Sequence, residues 1–158
     1  MTDVSELSNR LLRLEDIEAI RRLQHAYCRH LDAEGGFDVA GVVSLWAEDG
    51  VWDGGAYGKF VGKAAIAEYF TKHALEVAFS VHFTTNAEVD IVGETATCRC
   101  MGLVPASFHT GSPQQNHLLI FCVWDNTFVK SNGAWLFQSL KATVKDAWPY
   151  VKTGDAAS

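Results

Sequence analysis

At 158 residues, with 48% hydrophobic side chains that include nine Phe and five Trp, the chain has the length and apolar content of one folded domain and too many core-forming residues for a disordered one. Thirteen Lys and Arg against nineteen Asp and Glu leave a net charge of −6. The basic residues are scattered instead of forming the stripe that phosphate neutralisation requires, so nucleic acid is not an expected partner.

The N-terminal MTDVSELSNRLLRLEDIEAI is polar and acidic where a secretory signal would be apolar. No apolar run approaches the ~18 residues of a membrane span, so the expected location is the cytoplasm, with no membrane partner. A single domain over residues 1–158 is expected, with residues 1–12 and 152–158 as flexible tails. From Leu14 to Leu31 the apolar residues Leu14, Ile17, Ile20, Leu23, Tyr27 and Leu31 recur every three or four positions among charged ones, which predicts an amphipathic helix. The pattern stops at Asp32, where a carboxylate is opposed by the helix dipole unless another group uses its charge. Glu34-Gly35-Gly36 supplies a flexible exit into a shorter helix near Asp38–Trp46.

Val51-Trp52-Asp53 reads as a short strand, Gly54-Gly55 as a turn, and Gly62–Ala78 as a third helix that buries Ile66, Tyr69, Phe70 and Leu75. Four strands follow, near Val81–Val92, Thr95–Phe108, Asn116–Lys130 and Trp135–Trp148, and Asn132-Gly133 is the clearest hairpin signal. The expected fold class is α+β: three helices over a curved antiparallel or mixed sheet, with an apolar pocket between the layers. The Asn116–Lys130 strand is apolar on both parities, so both its faces should be covered. A second copy on the outer sheet face is the simplest cover, which predicts a homodimer.

Cys28, Cys98, Cys100 and Cys122 fit no zinc spacing and read as small core fillers. His25, His30, His73 and His109 make no ligand spacing with one another, so no metal and no cofactor is expected.

The run Glu15-Asp16-Ile17-Glu18-Ala19-Ile20, then Tyr27 and Leu31-Asp32, Gly62-Lys63-Ala64-Ala65-Ile66, His82 and Asn132-Gly133-Ala134-Trp135 resembles the nuclear-transport-factor-2-like superfamily, in particular its polyketide-cyclase-like branch. The pairing of Tyr27 and Asp32 with His82 is similar to that of scytalone dehydratase, bile-acid 7α-dehydratase and hexachlorocyclohexane dehydrochlorinase. The resemblance implies a cone of bent sheet and helices around an apolar cavity, an Asp–His dyad at its base, and cofactor-free lyase chemistry. The superfamily also hosts isomerases, cyclases and noncatalytic subunits.

Elimination beside a carbonyl needs a base near neutral pH and an acid for the departing oxygen, and one histidine can serve as both in turn. His82 suits this role, with Asp32 holding its other ring nitrogen protonated. Strict alternation works against it, because it places His82 with Thr84, Asn86, Glu88 and Asp90, opposite Val81, Phe83, Val89 and Ile91. A bulge around Thr84-Thr85 would reverse that.

Tyr27, as the resemblance suggests, would donate to a substrate oxygen. Trp46, Trp52, Tyr57, Phe121, Trp124 and Trp148 are candidate walls for a flat ligand. Trp52 stands roughly where scytalone dehydratase has a catalytic tyrosine, which argues against scytalone itself as substrate. His117 and Lys141 are further candidates for the pocket, the lysine for binding an acidic substrate. The expected function is a dehydratase-type lyase acting on a small hydrophobic cyclic or polycyclic compound. The alternatives are an isomerase or cyclase with Asp32 as proton shuttle, and a noncatalytic ligand-binding or partner subunit like the small subunit of aromatic-ring dioxygenases.

Overall fold

In the computed structural model, which describes residues 3–32, 36–109 and 116–150, the chain opens with α1 (Val4–Leu31). Asp3 caps it by accepting from the Ser5 backbone N–H. The buried side chains Ile20, Gln24, Tyr27, Cys28 and Leu31 follow helical spacing along one face. The helix starts at Val4, not Leu14, so residues 4–12 are helical. Its first turns present Val4, Leu7, Leu11 and Leu14 to solvent.

α2 (Val39–Ser44) is capped by Asp38, whose carboxylate accepts from Gly41 N–H. Trp46, expected at the end of that helix, instead opens β1 (Trp46–Asp53). A 3₁₀ turn at Gly55–Tyr57 and the short β2 (Lys59–Val61) lead into α3 (Lys63–His73), which buries Ile66 and Phe70. α3 stops at His73 and not at Ala78; residues 77–80 form β3 (Val77–Ser80), and Leu75, expected in the core, is exposed. The Glu34-Gly35 exit lies outside the described residues.

The long strands β4 (Phe83–Val92), β5 (Thr95–Phe108), β6 (His117–Ser131) and β7 (Ala134–Pro149) complete a seven-stranded mixed sheet in the order β2-β1-β7-β6-β5-β3, with β4 also paired to β5. β1 runs parallel to β7, and every other described pairing is antiparallel. Asn132 and Gly133 both have positive φ (51° and 79°) between paired Ser131 and Ala134, the twist a two-residue hairpin needs. The sheet curves strongly around the three helices into a cone-like half-barrel. Trp46, Phe128 and Phe137 pack its interior, with ring centroids 5.1 and 4.8 Å apart.

β3 and β4 lie one after the other along the same edge of β5, and Val81-His82 form the joint between them. Pairing of β4 with β5 slips between Thr85 and Glu88, where Asn86 takes φ 55°. That bulge inserts a residue and flips the parity. Beyond it Ala87, Val89 and Ile91 face the core; before it Thr84 is on the inner side and Phe83, expected among the buried set, is exposed. On the helix side, Asp16 ties α1 to the β6–β7 hairpin by accepting from Lys130 Nζ at 2.6 Å and Trp135 Nε1 at 2.8 Å.

Asn tolerates the left-handed conformation at position 86 where a β-branched residue does not. Asn86→Val should therefore cost about 1–2 kcal/mol of stability, and Asn86→Gly close to none, both read by urea unfolding. The Lys130 ammonium and Trp135 hold the Asp16 carboxyl below its ordinary value. A depressed carboxylate contributes stability that is complete above its unfolded pKa of about 4 and is lost as pH falls through the folded value. Asp16→Asn should accordingly flatten the acid limb of the stability–pH curve below about pH 4.

Candidate active site

Asp32 sits just past the last turn of α1, its backbone N–H still bonded to Cys28 O at 2.9 Å. The helix dipole disfavours its charge there, and three donor contacts offset this. His82 backbone N–H reaches Asp32 Oδ1 at 3.1 Å and Oδ2 at 3.0 Å, and His82 Nδ1 lies 2.6 Å from Oδ1. Both side chains are largely shielded, 21% and 13% exposed. Two further bonds fix the joint that carries His82: Ser80 Oγ donates to Leu31 O at 3.2 Å, and Val81 N–H to Pro105 O at 3.1 Å.

An ionised carboxylate can only accept, so Nδ1 carries a proton, and in the neutral ring the lone pair is on Nε2. His82 lines a cavity of about 120 Å³ that is open at one side, its ring 6.1 Å from that of Trp124. Asp32 stands behind the ring and is not among the lining residues.

Tyr27 is buried on the cavity wall. Its ring packs against Trp46, Phe70, Trp124 and Phe137 at 5.7–6.5 Å. Trp52 Nε1 donates to its phenol oxygen at 2.8 Å. The indole thus occupies an acceptor site of the phenol, and the phenol's own O–H remains as a donor. Burial pushes Tyr27 above its ordinary phenol value, so it stays protonated.

Trp52 is fixed in turn by Tyr69, 4.5 Å away, and Phe70. Tyr57, Trp52 and Trp124 line the cavity. Cys122 does too, its thiol raised to about 11 by burial; all four cysteines are buried and unbridged.

Strand alternation separates the remaining candidates from this wall. Ile120 and Cys122 point inward, so Phe121 points to the outer face, against Trp148 at 4.9 Å. Leu140 and Ala142 line the cavity and Lys141 between them is exposed, so it is not the inward cation expected for an acidic substrate. His117 is buried elsewhere, its Nδ1 2.7 Å from Ser107 Oγ and its ring against Tyr150. Trp46 is core and not wall.

Sequence reasoning passed over Tyr69 and His73, both of which line the cavity from α3. Their spacing of four residues, beside the buried Phe70, was the available signal. Among the described residues no Lys, Arg, Asp or Glu faces the cavity, and no three His, Cys, Asp or Glu cluster as a metal would require.

A family model, the SnoaL-like domain, matches residues 12–141. Among solved structures, a type 2 hexachlorocyclohexane dehydrochlorinase, LinA, superposes with a TM-score of 0.80 at 19% identity, covering 92% of this chain and 99% of its own. A scytalone-dehydratase-like protein of Novosphingobium aromaticivorans gives 0.77 at 20% identity, covering 89% and 91%. An NTF2-like protein with a cystatin-like fold from the same organism gives 0.74 at 28% identity, covering 92% of each chain. No curated protein matches the sequence.

Proposed function

The chain belongs to the SnoaL-like domain family of the nuclear-transport-factor-2-like superfamily, and on that footing we propose that it is a cofactor-independent lyase of the dehydratase type, acting on a neutral, hydrophobic cyclic or bicyclic compound. One observation carries the reading: a histidine whose Nδ1 is held by a carboxylate and whose Nε2 is left as a base at the wall of an apolar cavity. His82 takes the proton α to a carbonyl, Asp32 stabilises the imidazolium that forms, and the Tyr27 O–H binds the developing enolate oxygen. The absence of any lysine or arginine from the described wall favours an uncharged substrate.

Asp32 has both oxygens committed to His82 and stands behind it. That favours the dyad over an isomerase in which Asp32 itself shuttles the proton. A closed dyad at a cavity likewise favours an enzyme over a ligand-binding or partner subunit. The relatives named for dehydratase and dehydrochlorinase chemistry support the same class.

The partner in this reading is a second copy of the chain, on the outer sheet face. There Phe83, Met101 and Trp148 are half exposed or more. The pairings Phe83–Leu103 and Leu103–Phe121 extend this surface across three strands, with Trp148 against Phe121.

A suitable probe is 3-hydroxy-1-tetralone, a neutral bicyclic β-hydroxy ketone whose loss of water gives 1-naphthol, read by fluorescence. His82→Gln and Asp32→Asn should each lower turnover by about 10²-fold or more; unchanged turnover in His82→Gln would remove the dehydratase reading. Light scattering should give a mass about twice the 17.4 kDa chain and a monomer for Phe83→Glu/Met101→Glu. A monomeric native protein would rule out the dimer.

A further inference from the structure

The cavity wall holds a second histidine–carboxylate pair. His73, on the last turn of α3, places Nδ1 3.1 Å from Glu76 Oε2. Its ring is 17% exposed, although Glu76 itself is 64% exposed. The imidazole stacks on Tyr69 (5.3 Å between centroids, planes 15° apart) and is flanked by Phe37 at 5.9 Å and Tyr57 at 6.0 Å. An ordinary ion pair at a helix end leaves both side chains in solvent. Here the histidine is turned inward, flanked by three rings on the wall of the same cavity as His82, and its carboxylate is the largely exposed partner. With Nδ1 committed to Glu76, Nε2 is the atom left for a ligand.

We propose that His73, oriented by Glu76, is the proton donor to the leaving group, so that the cavity works with two histidines of opposite task. This rests on the lyase reading. His82 and its partner come from the β3–β4 joint and the end of α1, and His73 and its partner from α3 and the segment after it. The two pairs therefore approach a bound molecule from different elements, which suits an elimination whose proton and leaving oxygen lie on different carbons.

In the step, His82 Nε2 takes the α-proton and the C–H electron pair forms the enolate held by Tyr27. The enolate then forms the C=C bond as the C–O bond to the β-hydroxyl breaks. The departing oxygen takes the Nε2 proton of His73, which enters as imidazolium with Nδ1–H on Glu76, and leaves as water. His82 returns its proton to solvent and His73 recovers one from solvent near Tyr57, which is 46% exposed. No oxidant or further reactant is needed.

Two reactions of related ketones separate the two tasks. Deuterium exchange at the α-carbon of 1-tetralone in D₂O, followed by proton NMR, needs only a base. Dehydration of 3-hydroxy-1-tetralone needs base and acid. His73→Gln should leave exchange within about twofold of the native protein and lower kcat for dehydration by about 10²-fold, the scale of a lost general acid. Glu76→Gln, at an exposed position that cannot disturb the core, should act in the same direction by about tenfold. His82→Gln should abolish both reactions.

Equal dehydration in the native protein and both α3-side variants would overturn the proposal and leave one histidine doing both jobs. Loss of exchange in His73→Gln would overturn it too, by making His73 part of the base or of the fold. No exchange in the native protein, or exchange that survives in His82→Gln, would remove the lyase reading itself.

Discussion

The grip of Asp32 on His82 is the interaction around which the rest of the molecule is arranged. One carboxylate at the end of α1 accepts from both the backbone and the ring of a residue 50 positions later. It therefore fixes where the edge of the sheet begins as well as which imidazole nitrogen faces the cavity. The helix dipole opposes a negative charge at that position, and the compensation comes from His82. The short joint between β3 and β4, pinned by Ser80 and Val81, delivers both donors together. Local destabilisation at the helix end and long-range order at the site are thus two aspects of one contact.

The fold was largely legible in the chain because its elements announce themselves by pattern: α1 by its buried Ile20–Leu31 face, the sheet by four β-type stretches, the last hairpin by Asn132-Gly133. Errors fell where periodicity is weak. The helical pattern of α3 runs on past His73 in sequence, but Leu75 is exposed and the chain turns into β3. At His82, strict alternation gives the wrong face because Asn86 inserts a residue in a left-handed conformation further along the strand. Alternation counted backward through a bulge inverts.

The site was legible in part. Asp32 and His82, picked out by the resemblance, hydrogen-bond to each other, and Tyr27 stands on the wall of the cavity that His82 lines. His117, Phe121 and Lys141 could not be separated from the wall without knowing which parity of β6 and β7 turns inward, a matter settled by register and not by composition. His73 was only partly legible for a different reason: Tyr69 lies four residues before it, but its other two ring neighbours, Phe37 and Tyr57, come from other parts of the chain. Trp52 bears on the site through its neighbour: its indole N–H occupies an acceptor site of the Tyr27 oxygen and leaves that phenol's O–H as a donor.

The described cavity wall carries hydroxyls, a thiol, two imidazoles and rings, and no Lys, Arg, Asp or Glu. Such a chamber sorts molecules by their state of ionisation before it sorts them by shape: a carboxylic acid and its ester, nearly identical in outline, are different guests. In the proposed reaction, discrimination rests on what a compound must shed in order to enter, its charge and its water, and the two imidazoles then decide which uncharged skeletons hold a bond that can break.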